Sequence, residues 1–206
     1  MTDESTGSPV NQLLGLSAYA AVSAQARLAK DADQAPKTFE HIDMARMSGQ
    51  AWKIFERIEK RAQVSDVDLL NEVRRYEGIL DDLDARTRPT TWWERLTKTY
   101  VTVGIFTDAL REVARAVGEN ELAEEVTDFG HGEWVRNRLA PYTNDDEQLR
   151  ARLSLWTRRV GGEALGLVRA FMFTNPELAG SADPDALMER LSHAHKQRLA
   201  DINLLA

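Results

Sequence analysis

Apolar residues recur along this chain at spacings of three, four and seven, the period of helices that bury one face, and no segment alternates at period two for long enough to build a sheet. Leu14, Ala18, Ala21 and Leu28 form one stripe between Val10 and about Asp33, and Pro36 interrupts it. Met44, Met47, Ala51, Ile54 and Ile58 form a second, which predicts a helix from about Thr38 to Gln63. Lys and Arg gather near its end, where they oppose the negative pole of the helix dipole. Ser65 and Asp68 read as a capping-box-like start, with Asp in place of Glu, for a third helix reaching about Arg86. The stretch from Thr87 to Thr91, with Pro89, breaks the chain.

Leu96, Val103, Phe106 and Leu110 predict a fourth helix from about Thr91 to Val117, with Gly118 as its C-terminal cap. The next runs from about Asn120 to Ala140, with Asp128, His131, Val135 and Leu139 on one line and Pro141 after its end. Leu149, Leu153, Trp156, Val160, Glu163 and Leu167 line a helix from Asn144 to about Thr174. Asp183 and Pro184 open the last, to about Leu204, as N-cap and first helical residue. The connections are short, as in packed antiparallel helices, so the expected fold is an all-α bundle. Residues 1–9 read as a disordered lead and 10–206 as a single domain.

Composition narrows the chemistry. The chain of 206 residues is 43% hydrophobic and 29% charged, and no apolar run could span a bilayer. With neither membrane span nor signal peptide read in it, a cytoplasmic protein is expected. The absence of cysteine rules out disulfides, thiolate chemistry and iron–sulfur clusters, so a metal would need His and carboxylates. A net charge of −7 disfavours nonspecific attraction to nucleic acid. Against that, Arg136, Arg138, Arg150, Arg152, Arg158, Arg159 and Arg169 crowd one third of the chain, a basic face that would suit an RNA or acidic protein partner, in part explained by pairing to neighbouring acids.

Three residues are candidates for a remnant metal site. Asp128 and His131, three apart on a predicted helix, place a carboxylate and an imidazole on one face. The bland alternative is a hydrogen-bonded pair in which the acid orients the ring. Glu163 sits on the apolar side of its helix, as a third ligand or the partner of an arginine such as Arg159. Glu40, His41 and Asp43 face different directions and read as solvated charges. His193 and His195, two apart, diverge and read as surface residues, while the tryptophans at helical spacing read as core. No nucleophile elbow, phosphate loop or H-E-x-x-H is present, and Gly161-Gly162 reads as a site of close helix approach or a kink.

Several short segments carry a resemblance: Leu13-Leu14-Gly15-Leu16-Ser17-Ala18-Tyr19, Ala45-Arg46-Met47, Lys98-Thr99-Tyr100-Val101, Asp128-Phe129-Gly130-His131, and Leu155-Trp156-Thr157-Arg158-Arg159-Val160-Gly161-Gly162-Glu163-Ala164. Over roughly residues 10–175 they resemble an actinobacterial ferritin-like family related to the tRNA methylthio-isopentenyl-adenosine hydroxylases, which are di-iron oxygenases. The resemblance implies a ferritin-like antiparallel four-helix bundle with additional helices, monomeric or homodimeric. It also implies ligands on four helices, and here the chain departs from the pattern. The first-helix glutamate falls at Ala21, the second-helix E-x-x-H at Ala51 and Ile54, and the third-helix acid at Val103. Only the fourth-helix D-x-x-H is matched, by Asp128 and His131. A buried carboxylate without its metal is costly, so ligands and metal are expected to go together. The expectation is a degenerate di-iron site in a non-catalytic binding or scaffold protein, with no metal or other cofactor. The alternatives are an iron-dependent oxygenase acting on tRNA through an altered ligand set, and a binder of small molecules in an apolar cavity where the metals would lie.

Overall fold

Ser8 accepts a hydrogen bond from the Asn11 N–H at 3.3 Å and Pro9 takes the first helical position, so the first helix starts just ahead of its apolar stripe. The computed structural model describes residues 8–180 and 183–205 as helices and turns, with no strand among them. In chain order the helices are α1 (Pro9–Asp33), α2 (Thr38–Val64), α3 (Leu69–Arg74), α4 (Asp81–Arg86), α5 (Trp92–Ala116), α6 (Asn120–Glu125), α7 (His131–Asp145), α8 (Glu147–Thr174), α9 (Pro176–Ala179) and α10 (Pro184–Ala200). The disordered lead expected over residues 1–9 lies outside the described residues as far as residue 7.

The long helices α1, α2, α5 and α8 form the bundle. A short connection folds α2 back on α1, α5 packs on α8, and α1 meets α5 across the middle. The shorter helices cover the outside, α3 on α1, α6 on α5, and α7 and α10 on both α5 and α8. Every aliphatic stripe position of α1 and α2 is buried, as are Leu96, Val103, Leu110, Val135, Leu139, Leu149, Leu153 and Val160. Each large one contributes about 1.5–3 kcal/mol by leaving water. A capping box fixes the start of α5, with Thr91 and Glu94 each bonding the other's backbone N–H.

Two stretches expected as single helices are divided. Ser65 ends α2 instead of opening the third helix, and Asp68 caps α3 by accepting the Asn71 N–H at 3.1 Å. After α3 the chain runs through turns that include Gly78, at a φ of +79°, before α4 begins. The buried Tyr76 holds these turns to α1, donating its hydroxyl to the Gln12 carbonyl at 2.9 Å. Gly15 lets α3 lie directly on α1, since a Cβ there would stand 2.6 Å from the Glu72 Cβ. The second break separates α6 from α7 and falls on the candidate site. Pro141 lies inside α7 instead of ending it, and Asp146 alone divides α7 from α8. The last helix stops at Ala200, short of Leu204, in a turn where Asn203 has a φ of +58°.

The Gly161-Gly162 pair divides its labour. Gly161 is buried where the His195 ring of α10 lies on α8, and a built Cβ would overlap that ring, while a Cβ on exposed Gly162 would meet nothing within 4 Å. The approach of α10 is therefore the reason for the first glycine alone. Gly162→Ala is expected to raise stability by about 0.5–1 kcal/mol through helix propensity and a less disordered unfolded chain. Gly161→Ala is expected to lower it by about 1–3 kcal/mol through overlap. Urea denaturation of the two variants checks the pair, and equal effects would show that His195 does not rest on Gly161.

Candidate functional site

The middle of the bundle holds an apolar cavity of about 130 Å³. Its walls come from all four long helices: Ala20, Ala21 and Ala24 of α1, Ile54 of α2, Val103, Phe106 and Leu110 of α5, and Leu167, Val168 and Phe171 of α8. Three of the positions that the resemblance assigns to metal ligands, Ala21, Ile54 and Val103, therefore line one space. The fourth, Ala51, is buried in the core nearby in sequence. Small side chains on α1 leave the room, and the hydroxyl of Thr102 on the α5 wall is spent on the Lys98 carbonyl at 2.9 Å. Half-buried Leu16, Tyr19, Leu80 and Phe171 mark the side nearest solvent.

Asp128 and His131 do not share a helix face. Phe129 and Gly130 have φ values of +62° and +78°, and two successive left-handed residues exclude an α-helix. Asp128 stands before α7 and serves its N-terminus, where Oδ1 accepts the Gly130 N–H at 3.1 Å and Oδ2 the Gly132 N–H at 3.0 Å. That satisfies orphan donors at the positive end of the helix. Gly132 belongs to the same motif, because a Cβ there would overlap the Asp128 carboxylate.

His131 is the first residue of α7 and is wholly buried, and neither ring nitrogen has a hydrogen-bond partner. The expected acid–imidazole hydrogen bond is thus absent, although the Asp128 charge is close enough to favour the protonated ring. Burial outweighs it and brings the His131 pKa down to about 4. Glu163 is partly exposed and pairs with Arg86 of α4 at 3.4 Å, so an arginine holds it, but not Arg159. Among the described residues no three His, Asp or Glu side chains gather so as to hold a metal ion. The residues present do not fit a di-iron centre: the cavity wall offers hydrocarbon, Asp128 is committed to backbone N–H groups, and Glu163 to a guanidinium.

Several polar residues expected on the surface lie inside. Glu40 is only 1% exposed and accepts the Nε–H of Arg138 at 2.6 Å, joining α2 to α7. Asp43 adds to that seam by accepting from the Trp134 indole at 3.1 Å. His195 is buried between α8 and α10, and its pKa is likewise held down at about 4 by burial, with the Arg198 charge in the same direction. His41 is exposed, its ring Nδ1 2.8 Å from the Ala32 carbonyl, and His193 faces solvent as expected. Trp52 is 44% exposed and stacks on Phe55 instead of entering the core.

The arginines are not one face. Arg138 is tied to Glu40 and Arg150 to Glu147, Arg136 borders a cleft beside α10, and Arg152, Arg158, Arg159 and Arg169 are exposed along α8. A further acid, Asp31 on α1, is 1% exposed between the Thr99 hydroxyl and Arg95, and burial holds its carboxyl above the usual carboxylate range. Among the described residues, no helix is long and apolar enough to cross a membrane.

Comparison with known proteins bears on the origin of this scaffold. No protein of curated function matches the chain. A family model does, over residues 6–179, most of the length and all four bundle helices. The chain therefore belongs to the family described as the ferritin-like domain of actinomycetes.

Proposed function

We propose that this chain is a non-catalytic binding protein, a ferritin-like bundle whose middle takes a small apolar molecule where its metal-bearing relatives would hold ions. The observation that carries the reading is the cavity of about 130 Å³ walled by Ala21, Ile54 and Val103. Native interiors rarely leave a void larger than a water molecule. This one opens toward solvent past Leu16, Tyr19, Leu80 and Phe171, so a guest gains by taking its apolar walls out of water, at roughly 25 cal/mol per Å². An engineered cavity of about 150 Å³ lined by apolar side chains stays dry and binds benzene or xenon, which sets the size of the occupant. The walls are mostly hydrocarbon, although the unpartnered Ser17 hydroxyl and the Arg27 side chain also lie on the lining, so recognition is chiefly by shape and apolarity.

The test is thermal unfolding of the whole chain with benzene, p-xylene and indole. A ligand at about 100 times its Kd adds about 2.7 kcal/mol, a rise of roughly 5 °C or more for a chain of this length. Ala21→Phe, which fills the space, is expected to abolish that rise without unfolding the bundle. No rise with any of the three compounds would remove the binding role. Near-stoichiometric iron or manganese in protein from metal-supplemented growth would remove the non-catalytic one.

A further inference from the structure

We infer that the chain has a second binding site, an arginine-lined cleft between α5, α7 and α10 that takes a small phosphate-bearing molecule. The cleft measures about 440 Å³ and lies on the side of α5 away from the apolar cavity. Val103, Phe106 and Leu110 face the cavity, whereas Asp108, Arg111 and Arg115 face the cleft, as the helical period requires.

Charge is what distinguishes it. Five arginines, at 111, 115, 136, 190 and 198, line the cleft against three carboxylates, Asp108, Glu112 and Asp201, in a chain whose net charge is −7. The carboxylates answer only part of this. Asp108 takes Arg198 at 2.6 Å, and Glu112 takes Arg190 at 2.7 Å and Arg115 at 3.4 Å. Arg111 gives its Nε–H to a neutral acceptor, the Val126 carbonyl, at 2.8 Å. Arg136 pairs with no carboxylate among the described residues, and its guanidinium hydrogen-bonds the Tyr100 hydroxyl.

Arg198 forms part of the cleft wall and is held there by packing. Its guanidinium lies on the bare backbone of Gly104, where any side chain would displace it, and its Nη1 is buried without a partner. Arg111 and Arg136 thus border the concavity with donors not committed to a carboxylate, beside a wall that includes Arg198. Guanidinium forks match phosphate oxygens in a planar, two-pronged way that a single ammonium cannot, and the excess positive charge matches a polyanion. The cleft has the volume of a small-molecule site, whereas the net charge of −7 disfavours an extended nucleic-acid backbone.

Pyrophosphate titrated into the whole chain, followed by calorimetry, tests the site. Binding is expected in the wild type, weakened about tenfold or more by Arg136→Ala, and weakened also by Arg190→Glu, which alters charge at the exposed rim and does not touch the core. Arg136→Lys should recover part of the loss, since it restores charge without the fork. The melting temperature of each variant separates a lost site from a lost fold, and should Arg136→Ala unfold, Arg190→Glu decides. Absence of binding at millimolar pyrophosphate overturns the inference, as does affinity unmoved by the substitutions. Tighter binding of a single-stranded RNA oligonucleotide than of pyrophosphate, with the same dependence on Arg136, would reassign the cleft to nucleic acid and overturn it too. Ala21→Phe should leave pyrophosphate binding unchanged, so this site and the apolar cavity stand or fall separately.

Discussion

Arg138→Ala is expected to cost the protein about 3 kcal/mol of stability, with a lower urea midpoint and an unchanged slope. Glu40 is 1% exposed, and its Oε1 accepts the Nε–H of Arg138 at 2.6 Å while its Oε2 is buried without a partner. Removing the guanidinium leaves a buried carboxylate with neither countercharge nor water, a change worth about 3–5 kcal/mol where it has been measured. The lower end applies here because Arg138 itself is 23% exposed. Arg138 also lies over the Phe39 ring, 4.6 Å from its centroid, so part of the loss is packing. Glu40→Leu combined with Arg138→Met should return most of the stability, because the cost lies in the unpaired charge more than in the missing pair. A single-variant loss below about 1 kcal/mol would mean that water reaches Glu40.

Acidification is expected to weaken the fold between about pH 6.5 and 4, and His131 is expected to account for about 3 kcal/mol of that. Its imidazole has an ordinary pKa of 6.5 in the unfolded chain and about 4 in the folded one. Between those values the unfolded state binds the proton and the folded state does not, so stability rises with pH across the window. The contribution is fully present above 6.5 and is lost as the pH falls toward 4. At 1.36 kcal/mol per unit, the separation gives the figure above. His195 acts in the same direction. Asp31, whose carboxyl is raised by burial, acts in the opposite one, so the comparison must be with His131→Leu in an otherwise identical chain. Urea midpoints from pH 7 to 4 should fall less steeply for that variant, by close to one proton. Parallel curves would show that the ring is hydrated in the folded state.

The bundle was legible because helical spacing of apolar residues records which face is buried. Ala21, Ala51, Ile54 and Val103 were placed in the interior from periodicity alone and are there. Breaks were harder to read where the deciding interaction is between backbone and one side chain. Asp128-Phe129-Gly130-His131 has the spacing of a helical pair, yet the Asp128 carboxylate bonds two backbone N–H groups and the chain turns left-handed between them. The glycine at 130 is the signal that pointed to this, a residue suited to positive φ in the middle of an apparent helix.

The buried acids carried a signal as well. Asp31 follows Leu28 by three residues and Glu40 precedes Met44 by four, so both fall on the apolar stripes of their own helices and are buried with them. Their arginine partners, Arg95 and Arg138, come from distant parts of the chain and no local pattern could supply them. The same is true of the cleft, where α5, α7 and α10 bring together arginines up to 87 positions apart, from Arg111 to Arg198. Only Arg136 of that group stood in the arginine-rich stretch of the sequence.

The space at the centre of the bundle has a mechanical consequence. Unfolding collapses whatever internal volume a protein keeps empty, and the system shrinks as it does so. Hydrostatic pressure would therefore tilt the equilibrium of this chain toward the unfolded state in proportion to the unfilled part of about 130 Å³. An occupant that filled the hollow would make the same fold stiffer to compression without altering a single bond on its surface.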